Sequence, residues 1–207
     1  MVITFSDAND AAEAIQEADA AVADAVEPIR KAPPIRLLST LSEIGDQPQI
    51  RALSAALFAA GLLRRDRRLM RAGVRMLASH ELATALKNFV KHRVDRTRPR
   101  SRDEALDAHK MQPGDDHAKE ETSFPSGHSA GAASAARAFA RELPDHAGAA
   151  YGLAAGVALA QIPRCAHYPT DVGAGLAIGI ASELAVDAGW RAAEAAWDGL
   201  VAAPEPD

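Results

Sequence analysis

The sequence predicts an all-α protein folded as one bundle of helices. Apolar residues recur at helical spacing through most of the 207 residues, and no stretch alternates as a strand would. The chain is 48% hydrophobic but only 4% aromatic, so alanine and glycine supply much of the apolar content and favour close helix–helix contact. Proline- and glycine-containing breaks punctuate these segments at the spacing of short helices. A chain of this length forms one domain with a real core, so residues 1–207 are expected to be a single unit.

Taken in order, residues 7–27 read as an acidic, alanine-rich helix. Ile15, Val22 and Val26 lie on one stripe, Ser6 or Asp7 can cap its start, and Pro28 stops it. Lys31-Ala-Pro-Pro34 is a break. Ile35–Ile44 is a short apolar helix that ends at Gly45-Asp46-Gln47-Pro48. Ile50–Leu63 and Leu69–Val90 are helices joined by the basic connection Arg64–Arg68. Residues 100–124 lose all periodicity and predict a long polar loop, the usual form of a lid over a site. His128–Arg141 is helical up to Pro144-Asp145, and His146–Ile162 is a helix closed by Pro163. Thr170 or Asp171 opens a further helix to about Asp187, followed by a last one carrying Trp190 and Trp197. Seven apart, these tryptophans share a face that either anchors at a membrane interface or packs on the bundle.

The net charge of −5 argues against a nucleic-acid binder. It hides an asymmetry. Residues 1–30 carry a net −6, whereas residues 64–100 carry twelve Lys/Arg against three acids, a net +9 that expects an anion. Cys165 is the single cysteine, so no internal disulfide forms, and a small buried hydrophobe is its ordinary use. MVITFSDAND lacks a basic start and an apolar run, so no signal peptide is expected. The longest uncharged run, 147–163, is seventeen residues, short of the roughly 18 clearly apolar residues that identify a membrane span. Hydropathy alone therefore favours a water-soluble bundle, while the Arg64–Arg71 cluster would mark a cytoplasmic loop if the helices did span.

Three polar signatures stand out between Lys91 and Asp171. The first is Lys91-His-Arg-Val-Asp-Arg-Thr-Arg98-Pro99, which offers two cations, with Arg98 able to grip phosphate through two parallel hydrogen bonds. The second is Pro125-Ser126-Gly127-His128. Its glycine admits close backbone approach, and its helix start points free N–H groups at an anion. Ser126 can donate a further hydrogen bond, and His128 suits acid–base work near neutral pH. The third is His167-Tyr-Pro-Thr-Asp171, where a carboxylate one helical turn away can hold an imidazole in one tautomer. In the 100–124 loop, Asp107, His109, Asp115, Asp116 and His117 match no metal-ligand spacing, so no metal is expected.

In this order the signatures resemble the type 2 phosphatidic acid phosphatase superfamily, which also contains vanadium haloperoxidases and bacterial acid phosphatases. Its pattern is Lys-x6-Arg-Pro, then Pro-Ser-Gly-His, then Ser-Arg-x5-His-x3-Asp. The resemblance implies a bundle of about six to eight helices with the site between helix ends. It implies His167 as a nucleophile that forms a phosphohistidine, Asp171 orienting it and His128 as general acid. Lys91, Arg98, Ser126 and the Gly127 amide would bind phosphate oxygens, and no metal or other cofactor is implied. One departure is clear. The family's Ser-Arg falls on Ala160-Gln161, and Arg164, three residues on, is expected to supply the missing charge.

The implied protein is a metal-independent phosphatase of a phosphate monoester or diphosphate. The resemblance favours a lipid substrate and a bacterial-type cytoplasmic membrane. A soluble cytoplasmic phosphatase of small metabolites, a vanadate-dependent haloperoxidase and a binding-only protein remain the alternatives. No nucleic-acid partner is expected.

Overall fold

The computed structural model describes residues 5–101, 110–114, 118 and 120–201. Seven α-helices are present among them: α1 Phe5–Val26, α2 Pro33–Ser42, α3 Gln47–Arg64, α4 Arg67–Lys91, α5 Gly127–Glu142, α6 Ala147–Ala160 and α7 Pro169–Val201. The all-α expectation holds. A two-residue antiparallel ribbon, β1 Val94–Asp95 with β2 Gln112–Pro113, is too short to produce a period-two signal in the sequence.

Local chemistry sets the helix ends. Asp46 caps α3 by accepting from the Gln47 N–H at 2.9 Å, and Asp66 caps α4 by accepting from Arg68 at 2.9 Å and Leu69 at 3.3 Å. Arg65, at φ 54°, makes the left-handed turn that separates α3 from α4. The largest departure is at Asp187: the helix expected to end there, with a separate last helix after it, is one 33-residue α7. Asp187 points inward instead, where Arg75, Arg141 and Arg191 neutralise it. Ser6 and Asp7, expected as caps, lie inside α1, and α6 stops at Ala160.

Helices α4, α5 and α7 pack on one another, with α3 against α4 and α6 against α5. Helix α5 is the axis: every residue from Ser129 to Ala136 is buried. Small residues make this possible. A Cβ on Gly179 of α7 would press on the Ala130 carbonyl and lie 2.9 Å from the Ala133 Cβ. Far from the helix ends discussed below, Arg75 joins Glu142 and Asp187, and Glu183 takes Arg137 and Arg141. Trp190 packs under the Arg71 and Arg75 guanidinium groups at 5.5 and 5.3 Å, whereas Trp197 is exposed.

Helix α1 docks differently from its amphipathic reading. Ile15 and Val22 are left exposed, while Asp19 and Ala23 are buried. A charge interaction, described below, holds this helix rather than its apolar stripe.

Close packing predicts opposite outcomes at two glycines. Gly179→Ala should lower stability by about 1–3 kcal/mol through overpacking. Gly156→Ala, on the open face of α6 with nothing within 4 Å, should raise it by about 1 kcal/mol through helix propensity. Thermal unfolding of the two variants checks this.

Candidate active site

The C-terminus of α4 and the N-termini of α5 and α7 meet at one end of the bundle. Between them lies a cavity of about 230 Å³ whose walls include Lys87, Lys91, Arg98, Gly127, His128 and His167. Arg164, Gln161, Glu43 and Asp46 complete its rim and floor. The three signatures, spread over eighty residues of sequence, thus supply one polar pocket.

His167 is 3% exposed and its ring is held from two sides. Nδ1 lies 2.7 Å from the Ser123 carbonyl oxygen, and Nε2 lies 3.3 Å from an Arg98 guanidinium nitrogen. A carbonyl only accepts and a guanidinium only donates. The proton therefore sits on Nδ1, and the Nε2 lone pair faces the Arg98 guanidinium at the cavity wall. Burial first, and then Arg98, pushes the His167 pKa down to about 4, against the pull of Asp171. Arg98 also donates to the Ala166 carbonyl at 3.0 Å and the Thr122 carbonyl at 3.3 Å. Its own pKa falls to about 10, chiefly through burial and then through neighbouring Arg100, so it stays charged. Lys91 donates to the same Thr122 carbonyl.

Asp171 stands behind His167, its Oδ2 3.7 Å from Nδ1, so the nearer Ser123 carbonyl takes the ring proton. The carboxylate is fully buried and well satisfied. Oδ2 accepts from the Ser123 hydroxyl at 2.5 Å and the Tyr168 N–H at 2.9 Å, and Oδ1 accepts from Arg96 at 2.6 Å. Arg96 is itself 1% exposed and lies 3.9 Å over the Tyr168 ring. It donates to Asp19 of α1 at 2.7 Å and to the Thr170 hydroxyl at 2.9 Å. Asp19 in turn accepts from the Thr170 N–H at 3.1 Å and from its hydroxyl.

At the start of α5, Ser126 is buried as the helix cap. Its hydroxyl accepts from the Ser129 hydroxyl at 2.9 Å and does not line the cavity. Gly127 and His128 do line it. His128 Nε2 lies 3.7 Å from a Glu43 carboxylate oxygen. Arg164 is at the rim, with its guanidinium engaged by the Ser42 hydroxyl at 2.9 Å and Glu43 at 2.8 Å. Gln161 is fully buried, and its amide N–H₂ donates to the Val157 carbonyl at 2.8 Å. Glu43, Asp46 and His128 bring one ligand atom each within 4.8 Å of one another, close enough to share a cation. Asp107, His109 and Asp115–His117 lie outside the described residues.

Sequence reasoning missed Lys87, Arg96, Asp19 and Ser123. Lys87 sits one turn before Lys91 on the same helix face, and Arg96 lies inside the first signature, so both carried a signal. Asp19 carried none, and Ser123 acts largely through its backbone.

A family model described as the PAP2 superfamily matches residues 72–191, more than half the chain, and the chain belongs to that superfamily. Two solved structures share the fold. One is the first transmembrane PAP2-type phosphatidylglycerolphosphate phosphatase from Bacillus subtilis, 23% identical, with a TM-score of 0.62 over 86% of this chain and 87% of that one. The other is LpxE of Aquifex aeolicus, 18% identical, with a TM-score of 0.54 over 79% of this chain and 91% of that one. No curated protein sequence matches.

Arg96→Ala should strand two buried carboxylates and cost about 3–5 kcal/mol. Arg93→Ala, removing an exposed guanidinium stacked on Phe89, should cost under about 1 kcal/mol. Denaturant midpoints of the two variants provide the comparison.

Proposed function

We propose that the chain is a phosphatase that cleaves a phosphate ester or diphosphate of a lipid, through a phosphohistidine on His167 and without a metal ion. The observation that carries this reading is the His167 tautomer. A buried ring with its Nδ1 proton held by a carbonyl presents Nε2 as a nucleophile among cations. Nε2 attacks phosphorus, the bond to the leaving oxygen breaks, and His128 protonates that oxygen. Phosphorylated at Nε2 while keeping its Nδ1 proton, the ring becomes positive, and Asp171 at 3.7 Å stabilises that charge. Water then attacks phosphorus as His128 takes its proton, and orthophosphate leaves as the P–N bond breaks.

Lys91, Arg98 and the free N–H groups at the start of α5 neutralise the phosphoryl oxygens, which is the charge stabilisation a metal would otherwise supply. Ser126 shapes the Gly127 turn from beneath. Arg164 tightens the rim and holds Glu43 beside His128; burial lowers the His128 pKa, and the Asp46 and Glu43 carboxylates oppose that in part.

The lipid assignment rests on outward apolar surface and on the Bacillus subtilis neighbour, itself described as a transmembrane phosphatidylglycerolphosphate phosphatase. Among the described residues, one segment, Pro169–Asp198, is long and apolar enough to cross a membrane. Leu37, Leu41, Leu62, Leu63, Phe89 and Leu159 also face outward. A second reading, a soluble phosphatase of small phosphate esters acting as one 207-residue domain, is favoured by a mean hydropathy of −0.13 and by the Arg51–Glu81 ion pair on the outer surface.

His167→Ala should abolish turnover of a lipid phosphate and of a soluble aryl phosphate alike, and EDTA should leave the wild type active. Activity that persists in His167→Ala would sink the nucleophile assignment. Inhibition by EDTA would point to a cation held by Glu43, Asp46 and His128. Fractionation with and without detergent separates the lipid reading from the soluble one by where the activity is recovered and on which substrate.

The depressed His167 pKa fixes the sign of the pH dependence. Only the unprotonated ring attacks, so lowering its pKa extends activity toward acid. The acidic limb of kcat/KM, after the substrate's own ionisation is divided out, should fall near pH 4 rather than near the roughly 6.5 of a solvated histidine.

A further inference from the structure

We propose that Lys87 is an additional phosphate-binding residue, its ammonium held against the Gly127 turn to meet the phosphoryl oxygens of the substrate. The proposal rests on the phosphatase reading above. Lys87 lies on α4 one turn before Lys91, so both side chains leave the same face of the helix, and both line the cavity. A Cβ on Gly127 would stand 3.2 Å from the Lys87 Cδ and 3.5 Å from its Nζ. The side chain therefore lies along the backbone that starts α5. That backbone end has donors to offer: among the described residues, no hydrogen bond engages the N–H of Gly127 or His128. Ammonium and amides converge on one place.

The bonding state of Lys87 sets it apart from Lys91, Arg98 and Arg164, and its burial sets it apart from the more exposed Arg100 on the same wall. Lys91 donates to the Thr122 carbonyl, Arg98 to the Ala166 and Thr122 carbonyls, and Arg164 to Ser42 and Glu43. Among the described residues, no hydrogen bond or ion pair engages the Lys87 ammonium, although the residue is only 8% exposed. Asp46 shares the cavity wall but does not reach it. A desolvated, unpaired ammonium is costly in the free protein and becomes favourable when an anion enters. A lysine serving the fold alone would have a carboxylate or carbonyl partner; one serving as a solvated surface charge would be exposed. Lys87 has neither arrangement.

The test is binding of orthovanadate, a tetrahedral phosphate mimic, to the full-length protein, read by calorimetry and by the ligand-induced rise in Tm. For Lys87→Met the dissociation constant should rise ~10–100-fold, the scale of losing a hydrogen bond to a charged group. The Tm without ligand should stay level or increase, because an unpaired buried charge has been removed. Unchanged vanadate affinity in Lys87→Met, with the wild type binding normally, overturns the proposal alone. Absence of vanadate binding in the wild type overturns the phosphatase reading and this proposal with it. Misfolding or a large drop in Tm in both Lys87→Met and Lys87→Gln also overturns it, since the ammonium would then be holding the fold.

Discussion

The buried guanidinium of Arg96 is the interaction on which the rest of this end of the molecule depends. It joins Asp19 of α1, Thr170 at the start of α7 and Asp171 one residue further on. Three distant parts of the chain are fixed relative to one another by a group that cannot lose its charge. Stranding any of these charges in the interior would be expensive, so the arrangement is cooperative: Asp171 is held because Arg96 is held, and Arg96 is held in part by Asp19. Through Ser123 the constraint reaches His167, since the Ser123 hydroxyl binds Asp171 while its carbonyl takes the His167 ring proton. A single buried cation thereby sets the tautomer of a histidine that it does not touch.

This explains an oddity of α1. Most of the helix is exposed, its isoleucine and valine included, and yet Asp19 is 2% exposed. An acidic, alanine-rich helix normally has little reason to dock. Here the most buried contact is one carboxylate inserted beside Arg96, with Ala23 one turn on, while Glu13 and Gln16 accept from the Lys110 ammonium and the Met111 N–H nearer the surface. The acidity of residues 1–30 and the basicity of residues 64–100 are two halves of that interaction at its most buried point.

The pocket's chemistry was legible in the sequence to the extent that it lies in short motifs. Lys91, Arg98, Gly127, His128 and His167 were named from spacing and residue type, Arg164 from the family resemblance, and the fold brings them around one cavity. Helix boundaries were legible where proline, glycine or a capping aspartate sets them. Illegible were contacts between residues distant in sequence that have no local signature. Asp19 finds Arg96 across 77 positions, and the Ser123 backbone carbonyl would do its work under many side chains. The break expected near Asp187 fails for a related reason: that carboxylate is buried among Arg75 of α4, Arg141 of α5 and Arg191 of α7, the first two being contacts with no local signature. Arg164, expected to fill the place of the charge absent at Gln161, is tied to Ser42 and Glu43, while Lys87 is a buried cation of the cavity with no protein partner among the described residues.

In the phosphatase reading proposed above, phosphate chemistry and the choice of substrate body fall to different parts of this fold. The ends of α4, α5 and α7 would supply the groups that meet phosphate, and the cavity they share is polar. The segment from Pro33 to Asp46 has two faces. Outward it presents Leu37 and Leu41, each 62% exposed, and inward it places Glu43 and Asp46 at the cavity wall. Beside it, a separate apolar cavity of about 360 Å³ is lined by Ile44, Leu53, Leu57, Met76, Phe139 and Val157. Gly45 stands between the two cavities: a Cβ there would overlap Val157 and lie 3.5 Å from the His128 carbonyl. The same short segment thus touches His128, the polar pocket, the apolar cavity and the outer surface. In the phosphatase reading proposed above, residues 33–46 are the segment placed to meet whatever is attached to the phosphate, a role the three signatures do not carry.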